Sequence, residues 1–314
     1  MDNKSSVSRA RRAVGVRPGG RIRRTGSNGG SHGPSIASPA SAFSILKNLG
    51  PGLITGAADD DPSGIATYSQ AGAQFGYGML WTAVLTYPLM VGIQLVSARL
   101  GYTTGKGLAA NIRAAFPLPV LYCIVGLLLI ANTINIAADI AAMGQAADVL
   151  IGGSARLYSV IAGLVCVVLQ IFLRYEQYVR YLKLLTLALL SYVAVVFMVH
   201  VPWAEVLRRV ALPGLSLNHE TLWMAVAIFG TTISPYMFFW QAAQEMEDLQ
   251  SGPSPLRAPR TRMRKASAQL QRIRWDTYVG MGFSNVVAFF IILSASVTLH
   301  HAGVTDIQTS AQAA

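Results

Sequence analysis

Three consecutive aspartates stand inside an apolar stretch, Asp59-Asp60-Asp61-Pro62-Ser63-Gly64, with Gly50-Pro51-Gly52-Leu53-Ile54-Thr55-Gly56-Ala57-Ala58 before them and Ile65-Ala66-Thr67-Tyr68 after. A carboxylate at the centre of a membrane helix costs about 2.5–3.5 kcal/mol. The proline and glycine that follow disfavour a regular helix at that point. Charged, irregular backbone at membrane depth persists only where it is buried in protein or lines a water-filled site. The knot is therefore a functional-site candidate. A second interruption lies at Gly230-Thr231-Thr232-Ile233-Ser234-Pro235-Tyr236. There a proline removes one backbone donor and displaces a carbonyl one turn earlier, so freed carbonyls become candidate ligands, with an ordinary proline kink as the alternative. A third group, Asn132, Asn135 and Asp139, is spaced by three and four residues. That spacing puts all three on one helix face, either bonding a neighbouring helix or lining an ion path.

The elements that position these groups are membrane helices. The 314 residues are 53% hydrophobic and only 12% charged, against about 25% charged in soluble domains. Mean hydropathy is +0.44. Seven apolar segments can be drawn, at 44–71 (broken at the aspartates), 76–100, 118–144, 156–173, 180–201, 220–243 and 277–300. Each is near the ~20 residues that a span needs. Together they form a transmembrane region over 43–300. Residues 1–42 are rich in Ser, Gly, Arg and Pro and read as a disordered basic cytoplasmic tail, 250–275 as a basic cytoplasmic loop, and 301–314 as a C-terminal tail.

The net charge of +11 is uneven. Seven arginines crowd the tail, and seven basic residues from Arg257 to Arg274 crowd the later loop. Arg99, Lys106 and Arg113, and then Arg174, Arg180 and Lys183, fall in loops on the same side. Loops 72–77 and 145–155 carry none, and 202–219 carries only Arg208 and Arg209. By the positive-inside rule the N-terminus faces the cytoplasm of a multi-pass plasma-membrane protein, in contact with the lipid bilayer. The basic tail lacks the interleaved aromatics of a nucleic-acid module, so no nucleic-acid partner is expected. Cys123 and Cys166 give neither a disulfide framework nor metal-ligand spacing. No nucleophile–base pair stands out, so the chain does not read as an enzyme. Two interrupted spans five apart in chain order point to an inverted-repeat transporter with its site at the midplane.

The run Gly50-Pro51-Gly52, Asp61-Pro62-Ser63-Gly64, Gln70-Ala71-Gly72-Ala73-Gln74-Phe75-Gly76-Tyr77, Leu80-Trp81, Ala98-Arg99-Leu100-Gly101 and Thr104-Gly105 resembles the Nramp family of divalent metal transporters, and 230–241 resembles that family's second metal-binding helix. The resemblance covers most of 45–300. It implies an all-α, LeuT-like fold of two inverted five-helix repeats, with the metal between unwound helices 1 and 6 and no resident cofactor. Two repeats need ten spans, and seven are drawn. The chain is accordingly read as truncated to about seven, the remaining C-terminal helices lying on another chain or outside this sequence.

The family's Asp-Pro-Gly-Asn is matched at Asp61 and Pro62, while Ser63 and Gly64 replace its last two residues. The resemblance thus assigns the metal-binding aspartate to Asp61, leaves Gly64 without a ligating side chain, and puts a carbonyl ligand at Thr231. The family's Met-Pro-His becomes Ser234-Pro235-Tyr236, and Gln241 stands at its second histidine. In the third helix Asp139 is kept, and Ala142 replaces a glutamate. Losing the thioether leaves an all-oxygen site, which favours hard ions. Losing His and Glu removes proton-relaying groups. The pattern resembles the Nramp-related magnesium transporters and implies Mg²⁺ transport, with Mn²⁺ also accepted. The site would comprise Asp61, Ser234, Thr231 and Gly64, with Asp59 and Asp60 attracting or hydrating the ion, and an ion path along Asn135, Asp139 and Gln241. The alternatives are a proton-coupled Mn²⁺/Fe²⁺ importer, an organic-solute carrier of the same fold, a non-transporting sensor or scaffold using its tail on anionic lipid, and an inactive fragment.

Overall fold

The computed structural model describes residues 56, 58–172, 186–214, 218–251 and 263–307. The tail 1–42, all of 43–55, the start of the 180–201 segment and positions 252–262 lie outside the described residues. The described chain is helical. Its helices are α1 (Pro62–Phe75), α2 (Leu80–Thr104), α3 (Leu108–Ala115), α4 (Leu118–Ile151), α5 (Ala155–Phe172), α6 (Leu190–Met198), α7 (Trp203–Ala211), α8 (His219–Thr232), α9 (Pro235–Ser251) and α10 (Met263–Ala295). A 3-10 turn, Gly76–Met79, joins α1 to α2, and a π-helical turn, Ser296–His300, ends α10. Among the described residues five helical stretches are long and apolar enough to cross a membrane: Pro62–Thr104, Leu118–Ile151, Ala155–Phe172, His219–Leu249 and Ser267–His300.

Both expected interruptions are present. Asp61 is extended (φ −76°, ψ 167°) ahead of α1. Ile233 and Ser234 separate α8 from α9, with Pro235 opening the latter. Several boundaries differ from hydropathy alone. Helix α4 runs on to Ile151 through what reads as an external loop, and α10 begins at Met263, so 263–275 are helix rather than loop. Gln145, Ala146, Ala147 and Leu150 in the first extension, and a majority of Met, Arg, Lys, Ala, Gln and Leu in the second, favour helix whether or not they are apolar. Segment 202–219 holds the short amphipathic α7, where Arg208 and then Arg209 bond Glu205 and hold its carboxyl down to about 2.

Helix α10 is the hub, packing on α1, α2 and α6. The main core gathers Tyr68, Leu80, Ile228, Val287, Ile291 and Ile292. Tight crossings are made by small residues. At Gly101 a Cβ would collide with the backbone of Ala242, so α2 and α9 touch main chain to main chain. Gly76 is at φ +53° with the His300 ring 3.1 Å from where a Cβ would sit. The tight turn into α2 thus needs glycine for its backbone angle.

Among the described residues Arg272 of α10 pairs with two acids of α9, Glu245 and, at 3.5 Å, the half-exposed Asp248. Arg272 Nη2 donates to Glu245 Oε2 at 2.9 Å, Glu245 being 1% exposed and Arg272 about one-third exposed. Removing one partner of a buried pair leaves an uncompensated charge and typically costs about 3–5 kcal/mol. With Arg272 partly hydrated, Arg272→Gln is expected to destabilise by about 2 kcal/mol. Thermal unfolding in detergent checks this. A melting temperature equal to the parent's would show that Glu245 does not depend on the guanidinium.

Candidate functional site

Asp61 is placed by the start of α1. Asp followed by Pro is a strong helix-start signature: the side chain caps, and proline at the first helical position lacks a donor that would go unused. Asp61 Oδ1 accepts the Gly64 amide at 2.8 Å and the Ser63 hydroxyl at 2.7 Å. Its other oxygen, Oδ2, accepts Asn135 Nδ2 from α4 at 2.7 Å and the Tyr236 hydroxyl from α9 at 3.0 Å. Ser63 also lies 2.8 Å from Asn135 Oδ1. Asp61 therefore joins three elements, and each of these side-chain partners also carries an oxygen that can face a cation.

The two breaks meet here. A Cβ on Gly64 would stand 3.4 Å from both Asp61 Oδ1 and the Thr231 hydroxyl. Tyr68 of α1 bonds Thr232 of α8 at 2.8 Å. The end of α8 thus presents the negative pole of its dipole beside the carboxylate. The Thr231 carbonyl, expected to be freed by Pro235, accepts the Ser234 hydroxyl at 2.6 Å. Proline does release that carbonyl from the helix ladder, but the neighbouring serine takes it up. Ser234 is buried, and the lone pairs of its hydroxyl oxygen remain available.

Asn135 and Asp139 share one face of α4, as their spacing implies. Asp139 lies against the Ser63 backbone and within electrostatic reach of Asp61. Gln241 does not reach this group. It is fully buried, and its amide donates to Thr277 of α10 at 3.1 Å. Asp59 and Asp60 also turn elsewhere, both toward Ser284 of α10. They do not close around Asp61: among the described residues no three His, Cys, Asp or Glu side chains converge on one metal position. Consecutive residues around an extended Asp61 cannot all project to one side.

Sequence reasoning did not assign Ser63, Tyr236 or Ser284 to the site. Tyr236 carried a signal, a phenol in the first turn after the second break. Ser284 carried none, being one of several small residues on a long apolar helix.

The described residues are helical, with facing interruptions in two apolar helices and a carboxylate between them, the arrangement of the LeuT-like fold. The Nramp family model, described as natural resistance-associated macrophage protein-like, matches residues 52–314, and the chain belongs to that family. Among curated relatives, the divalent metal cation transporter MntH of Klebsiella pneumoniae is 29% identical over 272 residues, covering 83% of this chain and 62% of its own length. The protein of the same name from Verminephrobacter eiseniae is 28% identical over 284 residues, covering 86% and 60%. Crystal structures of the Eremococcus coleocola manganese transporter align with TM-scores of 0.64 (complexed with an aromatic bis-isothiourea compound) and 0.66 (a mutant form). They share 19% and 20% identity and cover 83% and 84% of this chain. The chain spans 53% and 54% of those structures and about three-fifths of the curated relatives.

Proposed function

We propose that this chain carries the cation-binding part of a divalent metal transporter, selective for Mg²⁺ and accepting Mn²⁺, working by alternating access around the paired breaks. The carrying observation is that every side-chain atom bonded to Asp61 belongs to a hydroxyl or an amide, with Ser234 at the neighbouring break where a thioether would favour softer ions. Mg²⁺ takes oxygen ligands at about 2.0–2.1 Å in octahedral geometry and keeps several waters. Asp61 supplies the charge. Ser63, Asn135, Tyr236, Thr231 and Ser234 are the neutral oxygens from which a few enter the shell, and the small Gly64 leaves room for the waters that fill its other positions. On arrival of the ion the rotatable donors on Asp61 turn away, and their oxygens take part in coordination. The basic loops support an N-terminus on the cytoplasmic side of the plasma membrane.

Proteoliposomes containing the full chain test this reading. The expected result is Mg²⁺ and Mn²⁺ entry with little Cd²⁺ entry; robust Cd²⁺ or Fe²⁺ flux without Mg²⁺ flux would sink it. Ser234→Met is expected to shift the Cd²⁺/Mg²⁺ affinity ratio toward Cd²⁺ by about tenfold, since a soft donor discriminates by roughly one good ligand bond. An unchanged ratio would remove Ser234 from the ligand set. A second reading is a proton-coupled Mn²⁺/Fe²⁺ importer; the solved relatives are named manganese transporters, which bears on the Mn²⁺ part of it alone. Acidification of the lumen during metal entry would favour it.

A further inference from the structure

We propose that Asp59, Asp60 and Ser284 form a second cation site, on the α10 side of the first break, that takes one hard divalent cation through the two free carboxylate oxygens. The site is built by packing. Gly56 meets Gly280 of α10 backbone to backbone, closer than any side chain would allow. Ser284 lies four residues further along α10, hence on the same face. Asp59 and Asp60 follow Gly56 by three and four residues and come down on that hydroxyl.

The bonding there is incomplete. Asp59 is 1% exposed and Asp60 5%. Ser284 Oγ is 3.0 Å from Asp59 Oδ2 and 3.4 Å from Asp60 Oδ1. A hydroxyl has one proton, so it serves one carboxylate at a time. Asp59 Oδ1 and Asp60 Oδ2 are buried with no hydrogen-bond partner. None of the ion pairs among the described residues involves either side chain. Held ionised side by side out of water, each with an unused oxygen, the two carboxylates would cost several kcal/mol per ion without a counter-charge. One divalent cation matches their charge, and two carboxylate oxygens, a hydroxyl and water are the ligands a hard ion takes. Asp61 has a separate set of partners on α1, α4 and α9. The second site therefore stands beside the reading of Asp61 and does not rest on it.

Mn²⁺ titration of the purified full chain in lipid nanodiscs, followed by electron paramagnetic resonance, separates the two. The parent chain is expected to bind two Mn²⁺ with mutually broadened spectra. The Asp59→Asn/Asp60→Asn double variant should bind one Mn²⁺ with an unbroadened spectrum. Asp61→Asn should also bind one, lost from the other centre. Ser284→Ala should weaken one of the two sites about tenfold, the lower end for removing a group that orients ligands. A single Mn²⁺ in the parent, or two in the double variant, overturns the second site. If the double variant does not fold, Ser284→Ala decides: two unaltered affinities overturn it. Loss of neither ion in Asp61→Asn would instead overturn the assignment of Asp61.

Discussion

Replacing Asp61 by Asn is expected to lower Mn²⁺ affinity at the Asp61 centre by at least about 100-fold while leaving the fold intact. The carboxylate caps α1 and, in the proposed site, is also the charged ligand, and this substitution separates the two roles. As helix cap, Asp61 accepts the Gly64 amide at 2.8 Å, and asparagine caps about as well as aspartate. As ligand, it supplies the only formal charge in its immediate hydrogen-bonded set. Loss of outer-shell partners alone costs metal affinity about 10–100-fold, so losing the charged ligand should exceed that range. Asp61→Ala should lose both functions and about 1 kcal/mol of stability besides, the typical contribution of a cap. Mn²⁺ titration paired with thermal unfolding reads both quantities. Retained affinity in the Asn variant would make Asp61 a cap and nothing more.

Gly101→Leu is expected to disrupt the fold itself. A Cβ at Gly101 would fall on the Ala242 carbonyl and its neighbouring backbone atoms. Backbone cannot rotate aside as a side chain can, so α2 and α9 would have to separate. Overpacking costs typically about 1–3 kcal/mol, more when the neighbour is rigid. A loss of about 3 kcal/mol corresponds to a fall in melting temperature of roughly 10 °C. Because α9 begins at the second break and carries Tyr236, cation affinity should fall as well. Gly92, on the same helix, has no neighbouring atom within 4 Å of where a Cβ would sit, and Gly92→Leu should melt at or above the parent temperature. Equal behaviour of the two variants would refute the close-crossing argument.

How much of this was legible in the chain depends on the range of the interaction. Asp61-Pro62 announces a helix start because capping is settled within four residues. Ser234-Pro235 announces the second break for an equally local reason. The shared face of Asn135 and Asp139 follows from helical periodicity alone. The length of α4 and α10 was less legible. Hydropathy marks where a helix is apolar, whereas polar helix formers carry it further, through Ile151 at one end and from Met263 at the other.

Local sequence by itself determined a polytopic helical membrane protein, two broken helices, and an aspartate at the first break, because apolar runs, proline and helix caps act over a few residues. Only the tertiary structure decided which way each aspartate faces. Asp61 turns to Asn135 and Tyr236, 74 and 175 residues away in the chain. Asp59 and Asp60 turn to Ser284, 225 and 224 residues away. Adjacent carboxylates look alike in sequence. Their surroundings are set by which helices come to lie on either side of an extended segment, and that is a property of packing.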